Sequence, residues 1–252
     1  GRPRRQLAKE LDVSARDADR LFHETWLGLA QPIEGLVFSI PVLAEAQIAP
    51  APRPEITAQI RAQCTEFADG RLALKSVRGF FETFLGYDTP GMLLNRDALP
   101  TFYAPESGQE IRASLGIART VLTPTDDPFA AFSPAASEQP TAETGHERPV
   151  VALVWDLADD TSEFASIDLD KPETLTGAWY YPPTSKLERL LRHTGIPIGF
   201  VSNRRELRLV YAPPGETTSH LTFRISDLAD AAGRPIALAL ELLFHARRTY
   251  GA

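Results

Sequence analysis

Val150-Val-Ala-Leu-Val-Trp155 and, further on, Gly195-Ile-Pro-Ile-Gly-Phe-Val201 decide the fold class. Both contain a near-continuous apolar run of strand length. Strands buried on both faces of an α/β sheet look like this, whereas half-exposed strands alternate. Between them Ser185–His193 reads as a helix with Ser or Thr as its cap. Asn203-Arg204 marks a turn into a third strand, Leu207–Tyr211, and His220–Ile225 alternates as a fourth. A short helix over 227–231 and an apolar-rich helix over Pro235–Tyr250 close the chain. The series strand, helix, strand, hairpin, strand, helix predicts an α/β fold with a mixed sheet flanked by helices.

Towards the N-terminus, residues 4–30 read as a helix, with Leu7, Leu11, Ala15, Ala18, Leu21, Phe22 and Leu29 at three- and four-residue spacing. Asp12 and Ser14 are caps for a second start at 14–16. Residues 33–40 read as extended, Pro41 ends them, and Val42–Ala46 is a helical turn. Ala49-Pro-Ala-Pro-Arg-Pro54 is a stiff linker. Helices are expected over Ile56–Phe67 and Val77–Leu85, with short strands at 92–94, 111–113 and 118–123. Pro124–Pro149 mixes Pro, Ala, Ser, Thr and acids without an apolar period and reads as a mobile loop. The expected organisation is a helical segment over 1–48 and an α/β domain over 55–252 that contains this loop.

Composition narrows the function classes. With 252 residues, 43% hydrophobic and 23% charged, the chain is globular rather than disordered or fibrous. No window holds the roughly 18 uninterrupted apolar residues of a spanning helix. One cysteine, Cys64, excludes an internal disulfide framework and a Cys-based zinc site, and fits a reducing, cytoplasmic location. The start, Gly1-Arg-Pro-Arg-Arg5, has neither a Met nor a signal-peptide core, which predicts a piece of a longer polypeptide or a trimmed one. The net charge of −7 divides unevenly: residues 186–252 carry +4 and the remainder −11. A polyanion would therefore approach the C-terminal third. A pI near 5.3 argues against a dedicated nucleic-acid-binding domain.

The phosphate-binding motifs G-x-G-x-x-G and G-x-x-x-x-G-K-[ST] are both absent, and so is a G-x-S-x-G elbow. The five histidines offer no pair at helical spacing for zinc, so no metal site is expected. Tyr180-Tyr-Pro-Pro183 lacks the Asn or Asp of a base-methylating loop. Metal-dependent nucleases of the restriction-endonuclease fold place an Asp and a [DE]-x-K on adjacent strands, where the carboxylates hold Mg²⁺ and the Lys positions the attacking water. Here Val150–Trp155 runs into Asp156-Leu-Ala158, with Ala in place of the Lys. In Asp168-Leu-Asp-Lys171 the spacing is one residue too long. Glu82, Asp88 and Asp97 are other carboxylates, but the set stays incomplete and no catalytic residue is assigned.

The basic residues are the candidate DNA contacts. Lys186, Arg189 and Arg192 recur at spacing three on one helix, and Arg204, Arg205 and Arg208 follow on the next hairpin. The alternative is a solvated face with Glu188 and Glu206 as ion-pair partners. Trp26 and Trp179 read as packing residues.

Three stretches together carry a resemblance: Trp26-Leu-Gly-Leu-Ala-Gln-Pro-Ile-Glu-Gly-Leu-Val37; the block from Leu187-Glu-Arg-Leu-Leu-Arg-His-Thr-Gly-Ile-Pro-Ile to Tyr211-Ala-Pro213; and Ser219-His-Leu-Thr-Phe223 followed by Gly233-Arg-Pro235. They resemble the N-terminal region of large bacterial adenine-specific DNA methyltransferases, including Type IIG restriction–modification fusions and the methylases of DISARM- and BREX-type phage-defence systems. The resemblance implies a restriction-endonuclease-like fold, with Leu187–Val201 and the hairpin to Tyr211 matching the segment after the nuclease's metal-binding strands. It implies DNA, a methyltransferase domain and other defence-system subunits as partners. S-adenosylmethionine would serve the parent polypeptide rather than this chain. The missing Lys departs from the active pattern. The leading expectation is thus a catalytically inactive domain that helps to hold DNA or dock a partner subunit. The alternatives are an active Mg-dependent endonuclease with non-standard ligands and a structural scaffold between subunits.

Overall fold

A computed structural model describes residues 2–30, 33–35, 39–45, 50, 53–67, 69–119, 150–172 and 181–250. The expected loop at 124–149 and Trp179 lie outside the described residues. In chain order the regular elements are α1 (Arg2–Leu29), β1 (Ile33–Glu34), α2 (Ile40–Glu45), α3 (Ile56–Ala62), β2 (Cys64–Glu66), β3 (Leu72–Leu74), α4 (Val77–Thr83), β4 (Leu93–Asn95), β5 (Thr101–Ala104), β6 (Gln109–Arg112), β7 (Leu115–Ala118) and β8 (Val150–Asp156). The series continues through α5 (Pro183–Thr194), β9 (Ile198–Ser202), β10 (Glu206–Tyr211), β11 (Ser219–Arg224), α6 (Ile225–Leu228), α7 (Arg234–Phe244) and α8 (Ala246–Tyr250).

Among the described residues seven strands form one mixed sheet in the order β1-β11-β10-β9-β8-β7-β4. The β8–β9 pair is parallel and the other neighbours are antiparallel. A parallel pair needs a long crossover, and the segment containing α5 supplies it. The mixed sheet flanked by helices is as expected. β8 shows why its sequence is apolar at nearly every position. Ala152 and Val154 join one core cluster while Leu153 and Trp155 join the other, so both faces are covered. The first face packs α1, α3, α4, α6 and α7, where the Phe200 ring meets Phe81 and Phe244 edge-on at 5.5 and 5.2 Å. The second face packs α5 and the β5–β6 hairpin. Gly195, at φ 64°, caps α5 in the left-handed region that glycine tolerates. At Gly199 a Cβ would lie 2.9 Å from Leu191 Cδ2, so the absence of a side chain sets how closely α5 lies on β9.

Several local expectations change. Trp26 and Ala30, Leu43 of α2 and the α7 side chains share one cluster, and β1 extends the sheet beside β11. The boundary expected between residues 48 and 55 therefore does not divide the core. The helix expected over 56–67 stops at Ala62, and Cys64–Glu66 turns back as a strand on β3. Gly70, at φ +75°, permits that hairpin. Ile40 starts α2 rather than ending a strand, because Pro41 fits the first turn of a helix. A strand covers Leu115–Ala118, and most of the one expected at 118–123 lies outside the described residues. The closing helix breaks at His245, whose ψ is 142°. There the Tyr87 hydroxyl donates to the Phe244 carbonyl at 3.0 Å, and the Ala246 N–H donates to the Leu85 carbonyl at 2.8 Å. Among the described residues no helix is long and apolar enough to cross a membrane.

Candidate functional site

The carboxyl ends of parallel strands are where open α/β sheets place their ligand crevices. Here β8 ends at Asp156 and β9 at Ser202, side by side. The β9–β10 turn folds over this edge. Ser202 Oγ accepts from the Arg204 N–H at 2.9 Å, and Asn203 Oδ1 accepts from the N–H groups of Arg205 and Glu206 at 3.0 and 2.7 Å. These local side-chain bonds suit Asn and Ser to turns, and they hold Arg204 at φ 65°, the left-handed region that non-glycine residues seldom adopt.

From that position Arg204 clamps Asp156. Its Nε lies 3.0 Å and its Nη2 2.8 Å from Asp156 Oδ2. Nη1 donates to the Lys75 carbonyl at 3.0 Å, and the guanidinium lies 4.9 Å from the centre of the Phe164 ring. Asp156 is buried. On the β7 side it faces Ser114, whose Oγ accepts from the Asp156 N–H at 2.9 Å. A nuclease would need a second carboxylate and a Lys at this edge. Among the described residues this edge offers Ser114 and Ala158, with Arg204 already on Asp156. Among the described residues no three His, Cys, Asp or Glu side chains converge as a metal site, and this donor set does not fit Mg²⁺.

Beside this edge opens a cleft of about 700 Å³. It is lined by Arg71, Ser166, Asp168, Asp170, Asn203, Arg205, Glu206, Arg208 and Arg224, among others. Arg208 is 1% exposed. It donates to Thr222 Oγ1 and Thr184 Oγ1, both at 2.8 Å, and engages Asp170 with both terminal nitrogens, one of them at 2.9 Å. The hydrogen bond from Arg208 holds the Asp170 carboxyl below the ordinary carboxylate range. Asp168 is lowered too, chiefly by the Lys171 ammonium. Burial, and then the Arg208 charge, push the neighbouring His220 below its usual range.

The six basic residues expected to share a DNA-binding surface are divided by the structure. Arg189 and Arg192 stay on the outer side of α5. Arg189 pairs with Glu106 at 2.5 Å and lies 5.3 Å from the centres of both the Phe102 and Tyr181 rings. Arg192 pairs with Glu188 at 3.0 Å and donates to the Glu216 carbonyl at 2.9 Å. Arg204 belongs to the Asp156 clamp. Arg205 pairs with Asp69 at 2.9 Å over the Phe67 ring. Lys186 and Arg208 correct the expectation, because they are 6% and 1% exposed and offer no charge to an approaching duplex. Lys186 lines a separate small cavity with Trp155, Asp160 and Glu110. Its three-residue spacing from Arg189 did not reveal that the first turn of α5 packs inward. Arg71 and Arg224 were missed. The alternation of β11 placed Arg224 on its polar face, but nothing local tied Arg71 to it.

His220 and His245 make stability depend on pH. Both are pushed below the ordinary value, mainly by burial and next by an arginine, Arg208 or Arg247. A depressed folded value means that the stability present above the unfolded value of about 6.5 is lost as pH falls towards the folded one. We expect the urea midpoint to drop between pH 7 and pH 5, and to drop less in His220→Gln. A midpoint constant across that window would contradict this.

Scans of family models, curated proteins and solved structures each found no match to this chain.

Proposed function

We propose that this chain is a nuclease-like, non-cleaving domain of a DNA adenine methyltransferase polypeptide from a restriction–modification or phage-defence system, working in the cytoplasm. There it helps to hold DNA or to dock a partner subunit. The Arg204 guanidinium on Asp156 carries the reading: it puts a fixed cation on the carboxylate that a nuclease would use for its metal. The element order adds support. Adjacent strands β7 and β8 are followed by α5, β9 and the β10 hairpin, the order that the resemblance of Leu187–Tyr211 implies. The methyl donor, S-adenosylmethionine, belongs on this reading to another part of the polypeptide, and no residue here is assigned to it.

Supercoiled plasmid incubated with the chain and Mg²⁺ or Mn²⁺ is expected to stay supercoiled. Nicking that disappears in Asp156→Ala would overturn the non-cleaving assignment and favour the endonuclease with non-standard ligands.

Docking is the other role, and the engagement of Arg189 and Arg192 by Glu106 and Glu188 of this same chain weighs against phosphate contact on α5. The two roles separate by salt dependence. If α5 contacts phosphates, the Arg189→Ala, Arg192→Ala pair lowers the slope of log affinity against log salt for duplex binding by the full-length protein, by about one unit per lost contact. An unchanged slope assigns this face to protein.

A further inference from the structure

The cleft beside the β9–β10 turn does not belong to the Asp156 clamp, and its lining suits a small ligand better than a duplex. Four guanidiniums and three carboxylates (Asp168, Asp170 and Glu206) line it. Two of the guanidiniums are committed, Arg208 to Asp170 and Arg205 to Asp69. Arg71 and Arg224 are held more loosely, in long ion pairs with Asp69 and Glu206. Neither side chain donates a hydrogen bond to a described residue, and their nearest carboxylates stand 4.0 and 3.6 Å away. Their side chains are 73% and 50% exposed. An unsaturated guanidinium fork is the side chain best shaped to take a phosphate or carboxylate bidentately. The cleft is also within the roughly 300–1,000 Å³ range of small-ligand sites.

The acids decide the rest. Asp168 and Glu206 oppose a continuous polyphosphate backbone crossing the cleft. They are acceptors for hydroxyl donors, and the Ser166 and Ser226 hydroxyls add two more polar groups. Apart from the stems of polar side chains, the apolar lining among the described residues is Leu72, Ala165 and Ile167, with no aromatic ring to stack a base.

We propose that the cleft binds a phosphate monoester on a hydroxyl-rich frame, the chemistry of a ribose phosphate, with Arg71 and Arg224 on the phosphate and Asp168 and Glu206 on the hydroxyls. The site stands independently of the DNA reading, because none of its phosphate contacts lies on α5. Such a unit can come from a free sugar phosphate or from a nucleoside monophosphate.

The test is titration calorimetry of the whole chain with ribose 5-phosphate, adenosine 5′-monophosphate, ribose and inorganic phosphate. Saturable binding is expected for the first two, weaker binding for inorganic phosphate and none for ribose. Equal affinity for the two esters assigns the sugar phosphate as the recognised unit, and tighter binding of the nucleotide assigns the nucleotide; either supports the site. Arg71→Ala and Arg224→Ala are each expected to weaken binding about ten- to hundredfold, the worth of a charge-assisted hydrogen bond. Neither side chain makes a hydrogen bond that folding needs, and Arg189→Ala should leave affinity unchanged. Absence of saturable binding at millimolar ester overturns the proposal, as does full affinity retained in both cleft variants.

Discussion

Asp170→Ala is expected to destabilise the fold by about 2–4 kcal/mol, more than the apolar replacement Arg208→Met. Arg208 is 1% exposed, whereas its partner Asp170, between it and the cleft, is 54% exposed. Removing the carboxylate strands a buried guanidinium. The cost falls a little below the roughly 3–5 kcal/mol of a fully buried broken pair, because water entering from the cleft solvates the charge in part. Arg208→Met removes the charge itself and keeps most of the volume. What it loses is the hydrogen bonds to Thr184 and Thr222, for about 1–2 kcal/mol. The double variant should therefore sit close to Arg208→Met, so that the second change recovers stability lost by the first. Urea unfolding of the four proteins reads this directly. Simple additivity of the two losses would mean that Asp170 does not neutralise Arg208.

The Asp156–Arg204 clamp predicts a comparable loss with a different rescue. In Arg204→Ala the buried Asp156 carboxylate keeps one backbone partner, the Ala158 N–H at 3.1 Å, and loses both guanidinium contacts. The Lys75 carbonyl and the Phe164 ring lose their partner as well, and the turn residue stays in the left-handed region. We expect a loss of about 3 kcal/mol. Asp156→Asn added to this background removes the stranded charge and should recover at least about 1 kcal/mol, a coupling typical of residues in direct contact. Thermal unfolding of the single and double variants decides it. If Asp156→Asn deepens the loss, the carboxylate is stabilised by something other than Arg204, and the reading of this pair as a replacement for a metal site falls.

The parallel pair at the centre of the sheet was legible because burial on both faces writes itself into composition. β8 and β9 are apolar at successive positions for the same reason that two core clusters meet there. The helix over 185–193, the Asn203-Arg204 turn and the missing lysine after Asp156 were likewise local properties, fixed by periodicity, side-chain hydrogen bonding and spacing. The alternation of His220–Ile225 also put Thr222 and Arg224 on the face of β11 opposite Leu221 and Phe223.

Whether a charge faces water, and what it meets, was decided by tertiary structure. Lys186, Arg189 and Arg192 have the same spacing pattern, yet the first is buried while the other two stay on the outer side of α5, because β6 and Trp155 close over the first turn of that helix. Arg204, Arg205 and Arg208 look alike within one hairpin. One clamps a carboxylate forty-eight residues back in the chain, one pairs with Asp69, and one is sealed beneath Asp170. Arg71 reaches the same cleft as Arg224 only because β2 and β3 fold against the end of the sheet where α6 begins. A sequence fixes which residues are charged and how they alternate. The partners come from contacts between segments far apart in the chain, and among these arginines it is the partner that separates a structural ion pair from a cation left to bind a ligand.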